Sequence, residues 1–268
     1  MTFFFLVYPL IGLFSGFLAG LLGIGGGLVV VPALLLIFPY QGLPEAGIVH
    51  ASVATSLATV IITSLIAAYA HHRHGAVEWP VVWRMAPGLL VGALAGAMLT
   101  MGISGEALRG FFGAFVVLVA IQMGFGLQAA PLGRLPAAPG LAAAGAFIGI
   151  ISAMVGVGGG TLTVPFLRWG SMLMKRAIAT SSACGFPIAL GGSLGFTLME
   201  TLAGQTTAPP AGIYWPAALW IGAASIAAAP LGVRVTHRIS TMLLTRVFAV
   251  ILAVIGVRLL WIWAQSWH

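Results

Sequence analysis

The chain has 268 residues, of which 60% are hydrophobic and 6% charged, against roughly 25% charged in an ordinary soluble domain. That balance excludes a soluble globular fold and places the chain in lipid. The formal charge of +7 does not indicate nucleic acid, because the bases fall between apolar runs as the positive-inside rule expects.

The first apolar stretch, Phe3 to Phe38, is longer than the about 20 residues that one straight span needs. It is interrupted by Gly23-Ile24-Gly25-Gly26-Gly27, with Pro32 downstream, so it reads as a hairpin. Its opening run, Thr2 to Leu22, lacks the basic n-region of a cleavable signal and reads as retained structure. The arm Leu28 to Phe38 is only ~15 Å long, about half the hydrocarbon thickness, which predicts a start near mid-membrane. Crossings follow at Ile48 to Ala70, Pro80 to Met101 and Ala107 to Leu127. A turn-prone linker, Gln128 to Gly140, then carries Pro131, Gly133, Pro136 and Pro139.

The second half repeats the first. Leu141 to Trp169 is another overlong stretch, broken by Gly156-Val157-Gly158-Gly159-Gly160 with Pro165, and the upstream Gly149 matches Gly16. Crossings are expected at Ala177 to Met199, Tyr214 to Val233 and Arg246 to Ala264. Ala54-Thr55-Ser56 recurs as Ala179-Thr180-Ser181, Trp79-Pro80 as Trp215-Pro216, and Gly96 as Gly232. Bases mark the connections at Arg73/Arg84, Arg134, Arg168/Lys175/Arg176 and Arg234/Arg238/Arg246 as cytoplasmic. Arg109 and Arg258 stand outside that segregation. One hairpin plus three crossings per half inverts the second half relative to the first. The expected fold is thus an all-α polytopic membrane protein of two inverted repeats, residues 1–130 and 140–268, joined by a linker at 131–139.

The segments Gly16 to Pro32 with Ala54-Thr55-Ser56-Leu57, and Gly149 to Pro165 with Ala179-Thr180-Ser181, resemble the TauE/SafE/YfcA family, the sulfite exporter family of bacterial membrane permeases. The resemblance runs from about Phe3 to Trp263. It implies a multi-pass protein of the bacterial inner membrane that moves small sulfur-containing anions. Export of sulfite or an organosulfonate leads, with import of an oxyanion such as thiosulfate as the rival and a membrane-embedded enzyme or accessory subunit as a remote alternative.

The residues themselves supply a candidate site. A helix starting at Leu28 or Thr161 offers free N–H groups and a positive dipole end, and glycine at Gly23, Gly25, Gly26, Gly27, Gly156, Gly158, Gly159 and Gly160 permits close approach by an anion. The same small residues also serve tight helix packing. The hydroxyls of Thr55, Ser56, Thr180, Ser181 and Ser182 either donate to an anion or back-bond to a carbonyl one turn earlier. Cys184, one turn beyond Thr180, either touches a sulfur anion or packs as a small hydrophobe. His50, Lys175 and Arg176 are candidate cations at the two mouths, or interfacial anchors. No catalytic residues, cofactor or metal site are expected. His71, His72, His74 and Glu78 read as a solvated connection, and the lone cysteine excludes a cysteine-rich metal centre. The four glutamates all fall outside the middles of the spans, which favours an anion over a cation. The expected partners are therefore a small anion and the bilayer. The small-residue face Gly88, Gly92 and Gly96 permits a homodimer and equally permits packing within one chain.

Overall fold

The computed structural model describes residues 2–23, 25–43, 45–126, 133–202, 212–238 and 242–265. Ile24, Leu127, the linker residues 128–132 and positions 203–211 of the connection before Gly212 lie outside these. Helix is the regular structure throughout the described residues, as it must be where no water is present to satisfy backbone groups.

The first half comprises α1 (Thr2–Leu22), α2 (Gly27–Ile37) with a short 3-10 turn at Phe38–Gln41, α3 (Glu45–Arg73), α4 (Trp79–Met101) and α5 (Gly105–Gly124). The second comprises α6 (Ala138–Val155), α7 (Gly160–Trp169), α8 (Met174–Leu202), α9 (Trp215–Arg238) and α10 (Met242–Gln265). The six crossings lie where the apolar pattern places them. Seven of the described helices are long and apolar enough to cross a membrane, and α6 is the seventh. The hairpins therefore have unequal arms: α1 and α6 have 21 and 18 residues, whereas α2 and α7 have only 11 and 10.

Packing follows the repeat but crosses between halves. The helix α1 lies on α9 and α4 lies on α6, while α3 pairs with α8 and α5 with α10. Exchanging each helix for its counterpart maps this set onto itself: α4 on α8 becomes α9 on α3, and α2 on α3 becomes α7 on α8. Glycine seams make two of these contacts. Gly12, Gly16 and Gly20 of α1 abut Ile221, Ser225 and Ala229, so α1 runs parallel to α9. Gly88, Gly92 and Gly96 of α4 abut Ala142, Ala146 and Ile150 of α6 in the same way. In lipid, where burial of apolar surface is no driving force between helices, such backbone approach supplies the association. The Gly88/Gly92/Gly96 face is thereby occupied within the chain and is not open to a second copy.

The helices α3 and α8 form the centre, with 78% and 67% of their spanning windows buried, whereas α10 is peripheral at 28%. The largest core cluster gathers Leu28, Val53, Leu57, Val155, Val157, Cys184, Ile188 and Phe196 around them.

Candidate functional site

The two glycine breaks meet in the middle of the bundle. A Cβ built on Gly25 would lie 3.0 Å from Gly158 Cα and 3.1 Å from Val60, and Val60 is within one residue of the midpoint of α3. On the other side, a Cβ on Gly159 would lie 3.1 Å from Ile188, the midpoint of α8. The short helices α2 and α7 therefore start at mid-height and run to opposite ends of the bundle. Close packing explains several of these glycines. A Cβ on Gly23 would sit 2.6 Å from Ser181 Oγ, one on Gly27 would sit 2.8 Å from Val157 Cα, and one on Gly156 would sit 3.0 Å from Val53 Cα.

The breaks differ in backbone. Gly23, Gly25 and Gly26 have φ of 71°, 76° and 80°, whereas in the second cluster only Gly156 is left-handed, at 71°. Gly159, which precedes α7, is right-handed with φ −55°.

Hydroxyls tie each break to the opposite half. Ser56 donates to Gly156 O at 2.7 Å. Its counterpart Ser181 reaches Gly23 O at 3.3 Å, while also bonding Ile178 O one turn back at 2.8 Å. Thr55 Oγ1 accepts the Tyr214 N–H at 2.8 Å and Thr180 Oγ1 accepts the Glu78 N–H at 3.0 Å, so each threonine holds the residue that precedes α9 or α4. Ser182 back-bonds to Ile178 O at 3.0 Å. Thr63, which the sequence reading did not single out, donates to Gly25 O at 2.9 Å.

Second-half hydroxyls around the break are arranged differently. Thr161 and Thr163 of α7 and Ser152 of α6 are buried, and their oxygens have no hydrogen-bond partner. Thr163 Oγ1 is 3.0 Å from the position a Cβ on Gly159 would take, so it lies beside the start of α7. The first amides of α7 have no partner within the helix either. A buried hydroxyl left unpaired costs about 1–3 kcal/mol, which is tolerated where a ligand completes it. The signal for Thr163 was in the chain: Gly-Thr-Leu-Thr-Val-Pro stands where the first copy has Gly-Leu-Val-Val-Val-Pro.

Cys184 lies on the stretch of α8 between Ser181 and Ile188 that packs against Gly159, and the other candidates lie nearer the helix ends. Cys184 is buried in the apolar core. His50 Nε2 is 3.1 Å from both Thr100 O and Ile103 O, closing the end of α4. Lys175 is exposed at the start of α8, and Arg176 is ion-paired with Glu78. Of the histidines, His71 lies 3.1 Å from Gly20 O and His72 accepts from the Trp79 indole at 3.0 Å. Among the described residues no group of three or more potential metal ligands gathers.

Comparisons with known proteins place the chain among membrane transporters. Over 260 residues the chain is 32% identical to a probable membrane transporter protein of Haemophilus influenzae, covering 96% of this chain and 98% of that one. It is 29% identical over 262 residues to a probable membrane transporter protein of Methanocaldococcus jannaschii, covering 96% and 97%. A third such protein, YunE of Bacillus subtilis, is 23% identical over 278 residues, covering 96% and 97%. No solved structure matches. Residues 8–259 match the family described as Sulfite exporter TauE/SafE. The crossed glycine breaks therefore sit in a multi-pass membrane protein, and the chain belongs to the sulfite exporter TauE/SafE family of membrane transporters.

Proposed function

We propose that the chain is a secondary transporter that exports sulfite or a related organosulfonate by alternating access of two inverted repeats around the crossed glycine breaks. The observation that carries this reading is the start of α7. A half-length helix begins at mid-height, and beside it the hydroxyls of Thr161 and Thr163 are buried without partners. Each helix start carries roughly half a positive charge in effect, which offsets part of the cost of bringing an anion into low dielectric. Hydroxyl and N–H donors suit a sulfur oxyanion, whose oxygens accept only. The exchange symmetry of the helix contacts supports two repeats related by a two-fold axis, the arrangement that rocks between outward and inward openings in many transporters. The family description supports the sulfur anion.

The test is flux of labelled sulfite, thiosulfate and organosulfonate in proteoliposomes, with and without imposed ion gradients. Anion flux is expected, and its direction with gradient separates export from import. Transport of a metal cation with no anion flux would overturn the reading. For orientation, an impermeant thiol reagent applied from outside should label Thr201→Cys and leave His74→Cys unlabelled. Full labelling of His74→Cys together with protection of Thr201→Cys would reverse it.

A further inference from the structure

Arg109 and Arg258, the two bases that break the positive-inside segregation, line one cavity of about 330 Å³ between α2, α5 and α10. We propose that this cavity binds an anionic glycerophospholipid, its phosphodiester on the two guanidinium groups and an acyl chain along the groove.

The packing of α5 on α10 brings the bases together. These helices run antiparallel, with Gly110 against Trp263 and Gly113 against Leu260. Arg109 lies one turn inside the start of α5, and Arg258 lies seven residues before the end of α10 at Gln265, roughly 10 Å along its axis. At that depth a bare guanidinium is costly, and such groups reach for a headgroup or a counter-charge. Among the described residues the only ion pair is Arg176 with Glu78, so no described carboxylate pairs with either arginine.

The rest of the cavity fits a chain-bearing anion better than a small soluble one. Leu35 and Leu36 of α2 form one wall, and Ile255, Leu259 and Ile262 of α10 form the other. Arg258 also belongs to a shallow surface depression with Val254, Val257 and Trp261, and these four side chains are exposed on the outer face of α10. The cavity therefore adjoins the face that meets lipid. Tyr40 lines it and is 82% exposed, and with Trp261 it provides the aromatic pair typical of headgroup depth. Arginine is the side chain suited to bidentate phosphate contact.

Native mass spectrometry of the detergent-purified full chain tests this. Phosphatidylglycerol and phosphatidylcholine are titrated separately, with inorganic phosphate and sulfite as soluble competitors. Phosphatidylglycerol is expected to bind more tightly than phosphatidylcholine and to resist millimolar competitors. The double variant R109Q/R258Q should lose on the order of thirty-fold in phosphatidylglycerol affinity, the effect of two bases at a membrane surface, with phosphatidylcholine unchanged. Leu36→Trp, which fills the groove and keeps both arginines, should weaken the same lipid and controls for any folding defect of the double variant. Equal binding of the two lipids, or undiminished phosphatidylglycerol binding by both variants, would overturn the proposal. Displacement by phosphate or sulfite would assign the arginines to a free oxyanion instead and would equally overturn it.

Discussion

The two glycine breaks have the same spacing, yet one is built as a closed packing joint and the other leaves polar groups unpaired. Around Gly23 to Gly27 three left-handed glycines turn the chain, and the Gly25 carbonyl is taken by Thr63. The helix that follows starts Leu28-Val29-Val30, all apolar. Around Gly156 to Gly160 one left-handed glycine suffices, α8 offers Ile188 where α3 offers Thr63, and α7 opens with two unpartnered threonines. A duplicated motif thus preserves where the chain breaks, while the side chains on either side decide what the break can do.

The largest effect expected from this contrast comes from adding one methyl group to each break. Gly25→Ala places an L residue at φ 76° with Gly158 Cα 3.0 Å away. The left-handed backbone costs about 1–2 kcal/mol and overpacking about 1–3 kcal/mol more, so thermal stability in detergent should fall sharply. Gly159→Ala sits at an ordinary φ; its tight contacts are the side chains of Thr163 and Ile188 at 3.0 and 3.1 Å, and the Ser181 carbonyl lies at an ordinary 3.5 Å. That protein should remain monodisperse and lose anion flux. Equal stability loss in both variants would erase the distinction between the breaks.

Threonine replacements sharpen the comparison next. Thr63→Val leaves the buried Gly25 carbonyl without its donor and should destabilise by about 1–3 kcal/mol, seen as a lower melting temperature. Thr161→Val and Thr163→Val remove hydroxyls that have no protein partner, so stability should hold or rise. Substrate affinity, measured by isothermal calorimetry, should fall several-fold for each, the worth of about 1 kcal/mol per lost hydrogen bond. Unaltered affinity in the Thr161/Thr163 double variant would move the anion away from α7.

Ser56→Ala and Ser181→Ala probe the crossed ties at smaller amplitude. Ser56 makes a 2.7 Å bond across the halves, so its loss should cost about 1 kcal/mol. Ser181 divides its hydroxyl between Ile178 O and the 3.3 Å contact to Gly23 O, so its loss should cost less in the same denaturation assay. The smallest change belongs to Arg176→Gln. Its pairing with Glu78 is half-exposed, and an exposed pair contributes about 0–1 kcal/mol, so unfolding should be nearly unaltered.

Much of this was legible in the chain. Apolar length located six of the seven helices long enough to cross, with α6 read as one arm of a hairpin, and ten-residue arms after the glycines required helices that start at mid-height, because both follow from the fixed rise of a helix and the fixed thickness of lipid. The roles of Thr55 and Thr180 were not legible. Each accepts a backbone N–H from the opposite half, 159 and 102 residues away in sequence, and no local periodicity encodes a partner at that distance. The same holds for Arg176, which lies 98 residues from the Glu78 it pairs with.

What the sequence by itself determined, then, is a polytopic helical membrane protein with a duplicated, glycine-broken plan. Composition compels helices in lipid, and the glycine clusters compel breaks. Which break is sealed and which keeps unpaired hydroxyls, that the Gly88/Gly92/Gly96 face is consumed by α6, and that Arg109 and Arg258 share one cavity were decided only by the tertiary structure. For the glycine face and the arginine cavity the deciding contact joins helices from different halves, and for the breaks it is the Thr63 bond to Gly25 O, 38 residues away, so in each case the deciding partner lies beyond the reach of any local pattern.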